Sequence, residues 1–156
     1  MGPFASLAST TLDADRYGAK ASVLALLHKA GVTVPMGFAL PWDSLPLSSS
    51  DVCALADHLK MLASDRVIVR SSALVEDRAA ASHAGLFETI ANVDKSDTQS
   101  VMLPVNRVCN PGPRRLEITR YHEALGSTAS TRVAVIVQEQ IEPVTGGVLF
   151  TSPSFA

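Results

Sequence analysis

The sequence predicts an α+β fold, in which a mixed or antiparallel sheet packs against helices. Some stretches carry apolar residues at three- and four-residue spacing, which is typical of helices with one buried face. Others are short apolar runs bounded by proline, glycine or polar residues, which is typical of strands. With 156 residues, of which 47% are hydrophobic, the chain can build one core, so we expect a single domain over residues 1–156.

Two helices are expected in the first half of the chain. The first runs from Gly18 to Ala30 and has an apolar stripe at Val23, Leu24, Leu26 and Leu27. Gly31 then ends it, because glycine readily adopts the left-handed backbone of a helix C-cap. Ser50 is the expected N-cap of the second helix, whose apolar side consists of Val52, Leu55, Ala56, Leu59 and Leu62.

Four strands, a hairpin and a further helix complete the prediction. The strands are expected at Met36 to Leu40, Val67 to Val69, Leu86 to Val93 and Arg132 to Ile141. Gly146 and Gly147 form a hairpin turn into Val148 to Phe150. A turn over residues 94–100 leads from the third strand into the further helix. That helix is broken at residues 111–113, where two prolines remove backbone donors, and resumes over Arg114 to Leu125.

Composition argues against several classes of protein. The 13 basic and 15 acidic residues include no basic block, so we expect no nucleic-acid partner. No apolar run approaches the roughly 20 residues that cross a bilayer, and the first residues do not resemble a secretion signal, so we expect a cytoplasmic protein without a membrane partner. Cys53 and Cys109 lack metal-ligand or disulfide spacing and are each expected to be a buried free thiol.

The first segment with chemical character precedes a helix. Gly18 and Ala19 are small, and Lys20 follows them at the helix start. Small residues allow a phosphate to approach the backbone, helix N–H groups attract anions, and the lysine adds a mobile positive charge. Alternatively, Gly18 caps the helix and Lys20 is a solvated surface charge.

The second segment places an arginine at the end of a buried strand. Arg70 precedes two serines, and its guanidinium can form forked hydrogen bonds to phosphate oxygens. Small residues around Gly85 would bring backbone N–H groups to the same phosphates, and the Thr89 hydroxyl would add a donor. The alternative is an ion pair of Arg70 with Glu76 or Asp77 that only stabilises the strand end.

The third segment is the strand from Arg132 to Gln140 with the glycine turn that follows it. Its ordinary interpretation is a β-hairpin in the core. Gln138 is the residue that suggests more, because an amide at a strand end can recognise the edge of a nucleotide base.

The three segments occur in the order of known sequence blocks: YGAKASVLALLHKAGVTVPMGFAL, VIVRSSALVEDRAAASHAGLFETIANV and VAVIVQEQIEPVTGGVLFTSP. Together they resemble the nucleotide-binding domain of the pyruvate phosphate dikinase and phosphoenolpyruvate synthase family, which also includes rifampicin phosphotransferase. The chain departs from the family pattern at Ala19, His83 and Gln140. The resemblance implies the first lobe of an ATP-grasp domain, with the second lobe missing.

The family resemblance also implies a function. Such domains bind Mg-ATP and pass its β-phosphoryl group to a histidine on a separate domain, releasing AMP. By motif position, Lys20 and Arg70 would contact ATP phosphates, Gly85 and Thr89 would belong to the loop over the phosphates, and Gln138 would lie near the base.

The same resemblance suggests that this chain needs other parts to act. The Mg²⁺ ligands are expected outside it, no catalytic residue is assigned within it, and we expect no catalysis by the chain alone. Its partners would be the second lobe and a phosphohistidine domain. The alternative is a non-catalytic nucleotide-binding or regulatory module that has kept the fold.

Overall fold

The computed structural model describes residues 4–9, 11–73, 88–110 and 132–147. They form a five-stranded sheet in the order β1-β2-β5-β3-β4, and each neighbouring pair is antiparallel. The strands are β1 Ala5–Ser6, β2 Gly37–Leu40, β3 Arg66–Ala73, β4 Thr89–Asp94 and β5 Val133–Glu139. The helices in this part are α1 Ala14–Lys29, α2 Val52–Lys60 and α3 Thr98–Cys109. The predicted α+β class is confirmed.

The sheet separates two apolar layers, because alternate residues of each strand point to opposite faces. Helices α2 and α3 cover one face and form the larger core with Phe38, Leu40, Val67, Val69, Val135 and Val137. Helix α1 covers part of the other face, where Ala21 packs with Ala39 and Ile136. The candidate site residues of β3 and β5 belong to this α1 face.

Helix α1 ends as predicted but begins four residues earlier. Asp13 is its N-cap, with a side-chain oxygen that accepts a hydrogen bond from the backbone N–H of Asp15 at 3.0 Å. At the other end Gly31 has φ +82°, and the N–H of Val32 donates to the carbonyl of Leu27 at 3.0 Å. This left-handed glycine stops the helix because it turns the chain away from the helix axis.

Helix α2 has the predicted apolar face but a different cap. Leu55 and Leu59 are buried, and so is Leu62, which the prediction placed on the same face but which lies just after the end of the helix. The cap is made two residues before Ser50, where Ser48 and Asp51 form a capping box around a short 3₁₀ turn. Hydrogen bonds from the backbone and hydroxyl of Ser48 lower the pKa of Asp51. Ser50 was therefore the wrong cap, because the 3₁₀ turn adds residues before the helix.

Strand β3, helix α3 and strand β1 also differ from the prediction. Strand β3 continues through Ala73 because its second half pairs with β5, so the polar residues after Val69 remain inside the sheet. Helix α3 begins at Thr98, within the predicted turn, because Asp97 caps it. The two-residue strand β1 was missed because it is too short to show alternation. The predicted hairpin strand at 148–150, the break at 111–113 and the helix piece at 114–125 lie outside the described residues.

The two cysteines are expected to differ in reactivity. Cys53 is exposed, so the predicted burial is wrong there, whereas Cys109 is partly buried and its thiol donates to the carbonyl of Asn106 at 3.3 Å. Burial raises the pKa of the Cys109 thiol, which lowers the fraction present as the reactive thiolate. Alkylation of the native chain, followed by mass spectrometry of its peptides, should modify Cys53 several times faster. Equal rates in the native chain, matching those in urea, would contradict this.

The helices found in the described part of the chain are too short or too polar to span a membrane.

Candidate functional site

The start of α1 lies against the second half of β3, so the first two predicted segments meet in space. The helical backbone of α1 is interrupted once, at Gly18, where φ is 80° and ψ is 163°. Helical geometry resumes at Ala19. The kink places the second part of α1 beside Ser71 and Ser72 of β3, which are both 1% exposed.

Gly18 is required there by contact with β3. A Cβ atom added to it would lie 2.0 Å from the carbonyl oxygen of Ser72 and 2.4 Å from the Ser72 hydroxyl oxygen. The positive φ also disfavours any other residue. The sequence prediction assigned the small residues before Lys20 to the approach of a phosphate, whereas at Gly18 the approaching group in the structure is the β3 backbone.

Two hydrogen bonds join the restarted helix to β3. The ammonium of Lys20 donates to the carbonyl of Ser71 at 3.1 Å. The backbone N–H of Ala21 donates to the hydroxyl of Ser72 at 3.0 Å. Lys20 and Ala21 of α1 are thus bonded to Ser71 and Ser72 of β3. The Lys20 ammonium therefore lies beside the residue that follows Arg70.

The first turn of α1, before the kink, is held by the segment that follows β2. The indole N–H of Trp42 donates to the carbonyl of Asp15 at 2.9 Å, and Arg16 pairs with Asp43 at 3.2 Å. The guanidinium of Arg132 lies 3.9 Å from the centre of the Trp42 ring, within the range of a cation–π interaction. The helix is therefore anchored on both sides of Gly18.

Arg70 lies on the α1 face of the sheet, between strands that contribute other predicted residues. It is paired with Thr89 of β4 and with Ile136 of β5. Arg70 is half-buried and Thr89 is exposed. Among the described residues, no hydrogen bond or ion pair engages the Arg70 side chain. The alternative partners Glu76 and Asp77 lie outside the described residues, as does Gly85.

Gln138 is on the same face, but its amide is used inside the protein. Gln138 of β5 pairs with Ile68 of β3. It is therefore a diagonal cross-strand neighbour of Arg70. The residue is 3% exposed, and its amide nitrogen donates to the carbonyl of Pro35 at 2.9 Å. Gly37 makes room for it, because a Cβ there would lie 2.9 Å from the Gln138 Cα. A role at a nucleotide base stays a prediction.

The described residues do not form a site for Mg²⁺. They contain no group of three or more His, Cys, Asp or Glu side chains placed to hold a metal ion. Lys20 and Arg70, which are predicted to contact phosphates, both lie at this end of β3. Both carry a positive charge. The chemistry that these residues can perform is the binding of an anion, because both side chains and the helix start offer hydrogen-bond donors and positive charge.

Fold and site thus define an α+β domain with a candidate anion-binding face. A family model described as "Pyruvate phosphate dikinase, AMP/ATP-binding domain" matches residues 48–155, which is more than half of the chain. The chain belongs to this family, whose domain is of the ATP-grasp type. The predicted resemblance is confirmed.

The match contains Arg70, Gly85, Thr89 and Gln138 but not Lys20. Lys20 is connected to the matched part through its hydrogen bond to Ser71. The motif in the sequence predicted this lysine but neither the hydrogen bond of Ser72 to α1 nor the contact between Trp42 and Arg132. No local pattern indicates either, because each contact joins residues far apart in the chain.

Proposed function

We propose that this chain is the ATP-binding part of a phosphotransferase of the pyruvate phosphate dikinase type. In this proposal Lys20 and Arg70 bind the phosphates of ATP, Thr89 and Gly85 contribute donors beside them, and Gln138 lies near the base. The β-phosphoryl group passes to a histidine on another domain, and AMP is released.

The proposal rests on one observation above the others, which is the hydrogen bond from Lys20 to the carbonyl of Ser71. It brings a lysine from the first motif to the residue that follows Arg70, in a chain of an AMP/ATP-binding family. Phosphate binding needs cationic donors held in place beforehand, because phosphoryl transfer is catalysed mainly by positioning and charge neutralisation.

The remaining components of the reaction would come from outside the described residues. The Mg²⁺ ligands and the second lobe would come from another part of the protein or from a partner chain. A phosphohistidine domain would accept the phosphoryl group. We further propose that the protein acts in the cytoplasm and that the chain is inactive without these parts.

Calorimetric titration with ATP in the presence of MgCl₂ tests the binding role. Saturable binding is expected, and Lys20→Ala should weaken it about tenfold or more, which corresponds to the usual contribution of a hydrogen bond to a charged group. Lys95→Ala is the matched control, because Lys95 also donates to a backbone carbonyl, that of Leu62, at the opposite end of β3. It should bind ATP like the wild type.

Two outcomes would count against the proposal. Equal losses in the two lysine variants would remove the specific role of Lys20, and a folded wild-type chain that does not bind ATP would remove the binding function. Formation of AMP from ATP after addition of the complementary lobe and a phosphohistidine domain would separate a phosphotransferase from the non-catalytic alternative. Binding without AMP formation in that mixture would favour the regulatory module.

A further inference from the structure

The interruption of α1 at Gly18 creates a helix start in the middle of the helix. Residues at a helix start lack backbone partners for their N–H groups, and the cap residue usually supplies a side-chain oxygen to the third helical residue. Gly18 occupies the cap position but has no side chain. The third residue after it is Ala21, whose N–H donates to Ser72, 51 residues away in the sequence.

Ser72 therefore acts as the missing cap from a neighbouring strand. Its hydroxyl oxygen is buried, because the residue is 1% exposed, and it lies 2.4 Å from where a Gly18 Cβ would be. Ser72 thus occupies the space that the side chain of a capping residue at position 18 would fill. The single hydroxyl proton of Ser22 lies between two carbonyl acceptors, that of Leu12 at 2.8 Å and that of Gly18 at 3.1 Å, so Ser22 also contacts this turn.

We propose that Ser72 is a positioning residue for Lys20. The proposal rests on the proposed function of Lys20 in phosphate binding. By capping the restarted helix, Ser72 sets which residue of α1 lies opposite which residue of β3, and Lys20 is then aligned with the Ser71 carbonyl. Loss of the cap leaves the Ala21 N–H without this acceptor, and the start of the helix keeps only one of its two hydrogen bonds to β3, that of Lys20.

The first test needs no nucleotide. An amine-reactive reagent is applied to the ligand-free wild type and to Ser72→Ala, and labelling of each lysine is measured by mass spectrometry. We expect Lys20 labelling to rise several-fold in Ser72→Ala while Lys95 labelling is unchanged. Unchanged Lys20 labelling would overturn the proposal, whatever the chain does with ATP.

A control variant separates positioning from a general loss of stability. The Asn106 side chain accepts from the N–H of Leu47 at 2.7 Å and donates to its carbonyl at 3.0 Å, on the other side of the sheet. Asn106→Ala also removes hydrogen bonds but does not touch α1. It should leave Lys20 labelling at the wild-type level, and an increase equal to that of Ser72→Ala would overturn the proposal.

The second test is a double-mutant cycle measured by titration with ATP. We expect Ser72→Ala to weaken binding several-fold, and we expect Lys20→Ala to cause little further loss in the Ser72→Ala background, because residues that act through each other are not additive. Fully additive losses would overturn the positioning role. If the wild type does not bind ATP, the proposed function fails, while the labelling result still decides whether Ser72 positions Lys20.

Discussion

Gly18→Ala is expected to destabilise the chain by about 3 kcal/mol or more, through backbone strain and a collision that no small shift relieves. With φ 80° and ψ 163°, residue 18 lies in a region of backbone conformation that essentially only glycine populates, so an L-residue costs roughly 1–3 kcal/mol there by itself. In addition, the new Cβ would lie 2.0 Å from the Ser72 carbonyl oxygen, so α1 and β3 must move apart. Because both bonds between these elements depend on the close approach, ATP binding should be lost as well.

Gly31→Ala is the matched control for this experiment. Gly31 has nearly the same φ, +82°, but nothing lies within 4 Å of its added Cβ. It should therefore show only the strain of an L-residue in the left-handed conformation at a helix end, about 1 kcal/mol, and bind ATP normally. Urea unfolding of both variants measures the difference. Equal losses of unfolding free energy would show that contact with Ser72 is not what requires glycine at position 18.

Arg70→Ala should weaken ATP binding by about 1–3 kcal/mol, which is the contribution of a hydrogen bond to a charged group. The Arg70 side chain lies beside Thr89 on the α1 face and makes no hydrogen bond or ion pair with the described residues. Its removal should therefore have little effect on the fold. Arg70→Lys should recover only part of the affinity, because an ammonium cannot make the forked pair of bonds that a guanidinium makes.

Arg66→Ala provides the control on the same strand and the same face. Arg66 lies at the other end of β3 and is paired with Asp94 at 3.5 Å, both groups being substantially exposed. Its loss removes one positive charge of equal size but should leave ATP affinity within about twofold of the wild type, since Arg66 lies at the end of β3 away from Arg70 and Lys20, and it should cost little stability, since exposed ion pairs contribute little. Calorimetric titration compares the variants. If both arginine variants lose affinity equally, the effect is one of net charge and Arg70 has no specific role.

Local patterns were sufficient for the elements whose cause is local. The apolar spacing of Leu55 and Leu59 predicted the buried face of α2, and Gly31 predicted the end of α1, because spacing and a left-handed glycine act within one or two turns. The alternating or continuous apolar runs likewise predicted β2, β4 and β5. The family, and with it the ATP-grasp type of fold, followed from motifs in a known order.

The sequence could not predict the contacts between residues that lie far apart in the chain. It predicted that Lys20 and Arg70 serve one ligand, but their relation depends on a kink at Gly18 and on a cap supplied by Ser72. It also ended β3 at Val69, because the polar residues that follow do not look like a buried strand until β5 pairs with them.

Backbone hydrogen bonds between strands and side-chain caps across elements exist only when the chain has folded, so no local pattern encodes them. Composition and periodicity were enough for the α+β class and for most elements. The three-dimensional packing of α1 on β3 decided where Lys20 lies and why residue 18 is glycine, because the lack of space for a Cβ atom at position 18 results from the contact between the two elements and from neither segment alone.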